Sequence, residues 1–438
     1  MKFKLFLPAC LLVLPAAAQT DLSTYQGPGV LSPGVGDVGT RSGQQVDLRL
    51  WGGVSAVYDT NLQPLITDSK GNLIHVPNLY GVEANIGAYG VHSWQHAELG
   101  LSYVGAFHHY TTESFYDGTD QALNLGYTVQ YSSRVTFDIR GTGSTLSRSA
   151  GSVASALTSS GNPSAVPLFD SRTSMVDVSG SMTFTQSPRT FYTFGAGADS
   201  FNYRADVLTS YSGYNVTGSA LHRLSLSTTV GGVYTYAQLS SGSAFGMRTH
   251  TLAGQYIATF GRVWSFNLTA GATLSQLDQT VVINGFLPGP NGLIPVTFPV
   301  PLALHSVYPS GTAELRRQFQ RASASVSYTR AVGGGNGFFL GARSQSAGAA
   351  ISYTGVRKWN FGIDGSYQSF VNLGPNSSRS ASYGGGSGVT YEMVHSLHLV
   401  GRYDIGHYDF ASSGFQRTTQ RATLGLTFSP GSVPLSLW

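Results

Sequence analysis

The chain has 438 residues, with 25 Lys and Arg against 21 Asp and Glu and a formal net charge of +4. Charged residues make up 11% of it, against about 25% in soluble domains, and so near a balance gives no basis for nucleic-acid binding through bulk charge. Beyond residue 18 there is no long apolar run, which excludes a helical membrane protein.

The first predicted element is a secretory signal peptide over 1–18. Lys2 and Lys4 precede an apolar run from Leu5 to Leu14, and Ala16, Ala17 and Ala18 give an A-x-A cleavage site before Gln19. The run is about half of the roughly 20 residues that a spanning helix needs. Leu7, Pro8, Ala9 and Cys10 have the form of a lipoprotein box, yet most of the apolar region follows Cys10, so lipidation is not expected. Cys10 is the only cysteine, so the mature chain has neither a disulfide nor a Cys-based metal site. Loss of Lys2 and Lys4 leaves 23 basic residues against 21 acidic ones. Residues 19–45 are rich in Gly and Pro and read as a periplasmic segment too short for a plug domain.

From 46 to 428 the recurring signal is alternation of apolar with polar residues, the mark of half-buried strands. Candidate strands lie at 46–58, 79–90, 95–109, 121–131, 134–145 and 174–186, then at 190–203, 214–221, 224–238, 246–260, 262–276 and 308–319. The last six are 322–332, 339–354, 357–371, 379–394, 396–410 and 416–428. That makes about eighteen, with sixteen or twenty also compatible. In 262–276, Trp264, Phe266, Leu268 and Leu274 alternate with Ser265, Asn267, Thr269 and Ser275. A face of small hydroxyls and glycines is a poor protein core but a good wall for water, so the expected fold is all-β, a transmembrane antiparallel up-and-down barrel.

Short links alternate with mostly longer ones, as periplasmic turns alternate with outer loops in bacterial barrels. Both termini are then expected in the periplasm, with 429–438 as a C-terminal tail. Strands leaving short turns begin with a basic residue, so Arg134, Arg189, Arg262 and Arg357 are placed at headgroup level beside an aromatic girdle that includes Trp264 and Trp359. A β-propeller also repeats, but the repeat here is a hairpin of about 42 residues without a Trp-Asp blade signature. Two places strain the pattern. Residues 339–354 change face, with Leu340 and Ala342 on one parity and Ile351 and Tyr353 on the other, which calls for a bulge. Arg317 points outward and must snorkel.

Parity assigns to the pore lining Arg49, Glu83, Glu98, Asp138, Arg140, Asp177, Asp199, Glu314, Arg316, Asp364, Arg402, Asp404, Arg417 and Arg421. Arg49, Arg402, Arg417 and Arg421 come together once the barrel closes, facing an acidic wall of Glu83, Glu98, Asp138, Asp177 and Asp199. Such walls would set a transverse field; local pairing, as of Arg402 with Asp404 or Glu314 with Arg316, is the alternative. The loop 146–173, with Arg148, Asp170 and Arg172, is a candidate constriction or a plain surface loop. The stretch 277–307, with Pro288, Pro290, Pro295, Pro299 and Pro301, is read as an outer loop able to act as a lid or a partner-binding surface. His108, His109, Glu113 and Asp117 near the outer rim are read as rim polar residues rather than an acid-base site, and the two histidines face opposite ways, so they cannot share a metal. No catalytic residue, metal or cofactor is assigned.

The alternating strands, loop rhythm and export signal resemble bacterial outer-membrane porins across almost all of 46–428. The opening strand, with Gly52, Gly53, Tyr58, Asp59, Thr60 and Asn61, is also similar to β-barrel porins linked with exopolysaccharide export. The resemblance implies a passive channel for small hydrophilic solutes, contact with outer-membrane lipid, delivery by the barrel assembly machinery and a homotrimer. A second reading is an envelope or polysaccharide-export barrel docking periplasmic partners through 19–45; a third is an outer-membrane hydrolase. One departure is that the last strand closes at Phe428 while a Pro-containing tail runs on to Trp438.

Overall fold

The computed structural model describes residues 47–62, 76–111, 116–147, 172–205, 208–242, 245–261, 263–289, 292–335, 337, 339–374, 378–394, 396–410, 415–429 and 432–434. The expected segments 1–18 and 19–45 and the candidate loop residues Arg148 and Asp170 lie outside them.

Eighteen strands form the wall, one for each predicted strand. In order they are β1 (Asp47–Leu62), β2 (Val76–Ser93), β3 (Ala97–Tyr110), β4 (Gly118–Gln130), β5 (Val135–Leu146) and β6 (Thr173–Ser187). Then come β7 (Thr190–Tyr203), β8 (Tyr211–Arg223), β9 (Thr228–Ser241), β10 (Phe245–Phe260), β11 (Trp264–Gly289) and β12 (Gly292–Gln318). The last are β13 (Ala322–Gly334), β14 (Gly341–Val356), β15 (Trp359–Asn372), β16 (Arg379–Val394), β17 (Leu397–Phe410) and β18 (Phe415–Phe428). Each pairs antiparallel with the next, and β18 closes on β1 with Gly52 opposite Phe428 and Thr60 opposite Gln420. Closure removes the sheet edges that would otherwise present unpaired backbone groups. In the tail, a three-residue β19 (Ser432–Pro434) prolongs the seam by pairing with Asp47–Arg49 of β1.

Short turns gather at one end of the barrel. Three of them, after β6, β14 and β16, are two residues long, and the one after β14 is made of Arg357 and Lys358, with Lys358 at φ +67°. Arg134, Arg189 and Arg357 lie exposed in these turns, and Arg262 lies outside the described residues. At the other end the links are longer, except after β9, β11 and β17.

Two expectations are corrected. The stretch 277–307 is not a loop: β11 and β12 continue as one hairpin, paired from Trp264↔Arg317 to Gly289↔Gly292. Pairing of β10 with β11 ends at Gln279, and pairing of β12 with β13 begins at Gly311, so the distal part is a two-stranded ribbon standing clear of the wall. Its prolines explain why it read as a loop and why it is nonetheless a ribbon. Pro295, Pro299, Pro301 and Pro309 share one parity, so their missing N–H groups all fall on the unpaired side of β12, where a proline costs no ladder bond. The bulge expected within 339–354 is also absent. Pairing of β13 with β14 runs unbroken from Ala322↔Tyr353 to Gly334↔Gly341, and the irregularity opposite β15 sits at the turn, after Tyr353. Ala342 breaks the sequence pattern because it faces an apolar patch inside the barrel, packed with Phe339 and Phe370.

Outward positions carry the large apolar side chains: Val54, Leu252, Val307 and Ile363 are 60 to 69% exposed. A core would bury them, so this apolar coat is built for contact with something other than water. Aromatic pairs stand at both ends of the wall. Trp359 lies 4.7 Å from Tyr391 near the short turns, and the Arg317 guanidinium sits 4.6 Å from the Trp264 ring and 4.2 Å from that of Phe319, the expected snorkel. Towards the long-loop end, Tyr58 pairs with Tyr80 at 5.0 Å and Tyr367 with Tyr383 at 5.1 Å.

Candidate pore interior

Side chains of the opposite parity face inward, and most are small and hydroxylated. Thr193, Thr217, Thr249 and Thr273 follow one another around the wall on β7, β8, β10 and β11. Hydroxyls meet across neighbouring strands: Thr217 and Thr235 at 3.2 Å, Thr251 and Thr273 at 2.8 Å, Ser323 and Ser352 at 2.6 Å. Because a hydroxyl both donates and accepts, such rows satisfy themselves and still offer lone pairs to water.

The interior charges form local clusters. At the seam, Arg421 of β18 reaches the Asp59 Oδ2 of β1 at 3.2 Å and also contacts Glu83 of β2. His108 of β3 continues the chain, with Nδ1 2.8 Å from Glu83 and Nε2 2.9 Å from Asp120 of β4. Tyr110 donates its hydroxyl to Asp59 at 2.5 Å, and Ser147 donates both its N–H and its hydroxyl to Asp120 Oδ1. All of the charged members are buried, so five strands, β18 and β1 to β4, are tied by one enclosed polar chain. A second cluster lies on β15 to β17, where Arg402 Nη2 bridges Asp404 at 2.6 Å and Asp364 at 3.0 Å. Gly386 is opposite both Asp364 and Asp404 in the ladder, and a Cβ there would fall 2.5 Å from Arg402 Nη2 and from Asp404 Oδ1. The glycine is the space that the bridge occupies.

On β5, Arg140 donates to Asp138 at 2.9 Å, and Thr128 donates to the other oxygen of Asp138 at 2.7 Å. Arg316 pairs with Glu314 on β12. Arg417 is buried with its guanidinium 4.9 Å from the Tyr408 ring, and Glu98 lies near the short-turn end opposite Thr128. Arg49 of β1 pairs with Tyr89 of β2 in the ladder. Asp177 of β6 and Asp199 of β7 stand directly opposite each other. Of the two arrangements left open by the sequence, local pairing is the one the geometry gives for Arg140, Arg316, Arg402 and Arg421.

His108 and His109 face opposite ways as expected, their side chains 1% and 56% exposed, and His109 meets Asp117 at 2.7 Å outside. Glu113 lies outside the described residues. The sequence placed His108 at the rim among solvated residues; the structure buries it between two carboxylates. The Ser147 hydroxyl is held by Asp120 rather than by the imidazole, an order in which the histidine does not face the hydroxyl whose proton a triad base must take.

On β5 to β11 the interior nearest the long-loop end is largely apolar. Leu146, Met175, Phe201, Tyr211, Leu239, Phe245, Met247 and Leu277 make one buried layer running from β5 to β11. Phe201 stacks on Tyr211 at 4.8 Å. The β13–β14 connection reaches this layer: Gly337 accepts a hydrogen bond from Thr209 N at 2.9 Å, and Leu340 packs against the cluster. A Cβ on Gly337 (φ +85°) would lie 3.1 Å from the Tyr203 ring, so glycine permits both this backbone turn and this approach. The connection therefore spans the mouth to the β7–β8 side. The loop 146–173 is the one expected as a constriction or a plain surface loop; of its three named residues only Arg172 is described, and it is exposed. The available signal was the glycine run Gly333, Gly334, Gly335 and Gly337. Among the described residues no group of three or more His, Cys, Asp or Glu could hold a metal.

No protein-family model matches the chain, and no curated protein does. Comparison with solved structures gives matches of low identity. Acinetobacter baumannii OccAB1 is 11% identical, with 88% of this chain and 97% of that one covered and a TM-score of 0.41. The BenF-like porin from Pseudomonas fluorescens Pf-5 is 10% identical, with 89% and 99% covered and a TM-score of 0.42. Pseudomonas aeruginosa OccK2 (OpdF), solved in complex with glucuronate, is 10% identical, with 88% and 98% covered and a TM-score of 0.40. Likeness at that level says nothing of what this chain carries.

Proposed function

We propose that this chain is an outer-membrane channel through which small hydrophilic solutes diffuse passively. The observation that carries the proposal is a closed eighteen-strand wall with apolar side chains outside and hydroxyls and paired charges inside. A bilayer solvates the first set and water the second, and a closed barrel is one of only two backbone arrangements that leave no polar group bare in lipid. In this reading the short-turn end, where β1 begins and β18 ends, faces the periplasm, and residues 1–18 direct export. Residues 19–45 then lie in the periplasm, the barrel assembly machinery inserts the wall, and three copies associate. Lipid surrounds the aromatic bands, and the β13–β14 connection guards the outer mouth.

Planar-bilayer recording of the purified protein tests this. Steady conductance in KCl is expected without any partner. A correctly folded barrel that stays silent, even after the β13–β14 connection is shortened, would sink the proposal.

A further inference from the structure

The interior charge is uneven. Among the described residues the guanidinium of Arg421 serves Asp59 and Glu83, with Asp120 reached only through His108. Arg402 bridges Asp364 and Asp404, Arg140 pairs with Asp138, and Arg316 with Glu314. Asp177 and Asp199 have no cation within salt-bridge distance among the described residues. They also differ from the seam carboxylates in access, because both are only partly buried, so water in the lumen reaches them.

Their placement sharpens the point. Asp177 and Asp199 are opposite each other in the β6–β7 ladder, which puts their Cβ atoms about 5 Å apart, and like charges so placed repel. The next inward positions toward the outer mouth are Met175 and Phe201 of the apolar layer, and those on the other side are Ser179 and Gly197. None of these can compensate the pair. Across the ladder Asp177 meets Thr142 of β5 and Asp199 meets Gly213 of β8, and the nearest inward cation on β5, Arg140, is opposite Ser179 and donates to Asp138. Among the described residues the charge of the pair is therefore left to mobile ions, and a low-dielectric wall concentrates the field of fixed charges into the water column.

We infer that the lumen selects cations over anions, and that Asp177 and Asp199, just beneath the apolar layer, are the residues that set this preference. The inference rests on the channel reading above and deepens it: the favoured solutes are small and hydrophilic with a net positive charge. It runs against the small basic excess of the mature chain, 23 basic residues against 21 acidic ones, which by itself would suggest the reverse.

The test is the reversal potential of the full-length protein in a planar bilayer under a KCl gradient. The unmodified channel is expected to favour potassium over chloride by about 2-fold or more. D177N/D199N should at least halve that ratio, D177K/D199K should invert it, and D117N, which changes a carboxylate outside the lumen, should leave it unchanged. Folding of each variant is checked by heat-modifiable migration on a gel, and the Asn variant removes a repulsion, so its barrel is expected intact. A wild-type channel that prefers chloride, or a D177N/D199N channel with wild-type selectivity, overturns the inference while leaving the channel in place. A folded barrel without conductance overturns both.

Discussion

Glu83 has Arg421 on one side and His108 on the other, all three buried inside the wall. Removing its charge strands the Arg421 guanidinium with Asp59 alone, and breaking a buried pair costs about 3–5 kcal/mol. The Glu314–Arg316 pair is more open, with side chains 22% and 45% exposed, and an exposed pair is worth about 1 kcal/mol or less. Urea unfolding from lipid should therefore show Glu83→Gln far less stable than wild type and Glu314→Gln nearly unchanged; equal midpoints would refute the assignment of the seam cluster as enclosed. This cluster was the least legible part of the sequence. Parity gave the inward direction of Glu83 and Arg421, and closure brings the last strand beside the first, but the partners lie 338 residues apart, and no local pattern reports which side chains share a level across the seam. His108 was misplaced for the same reason, since its burial depends on Glu83 and Asp120 from neighbouring strands.

At the level of elements, strand identity was legible because period-two alternation survives in every wall strand, and the eighteen predicted strands are the eighteen found. What alternation could not show was anything whose environment departs from lipid outside and water inside. The β11–β12 ribbon leaves the wall, so its residues follow no lipid-water rule, and its prolines were mistaken for breakers instead of edge residues. Ala342 and Leu340 looked out of phase because the mouth interior is apolar, not because the strand bulges. The β13–β14 connection holds no charge or proline that would single it out, yet it reaches Thr209. Replacing 335–340 with a tight turn should therefore raise single-channel conductance while the barrel still migrates as folded. Unchanged conductance would show that the connection does not obstruct the path.

The whole molecule is organised by one division, outside against inside, and neighbouring residues test it directly. Val216 is 50% exposed on the outward parity near the middle of β8, and Asn215 beside it faces inward. Val216→Arg should cost about 2–4 kcal/mol of stability in lipid, as expected for a cation at the bilayer midplane, whereas Asn215→Arg should be tolerated and should alter conductance instead. Equal destabilisation by the two, measured by unfolding from vesicles, would contradict the division.

The seam has an implication for how the cylinder is completed. Asp59, Glu83 and Asp120 belong to three of its first four strands, while Arg421 arrives with the last. A sheet in which β18 has not yet met β1 leaves Asp59 and Glu83 without the Arg421 guanidinium, and docking that strand pairs both in the same movement that joins the backbone. Electrostatic discharge and mechanical closure are thus one event, which penalises premature circularisation on any strand lacking the matching cation.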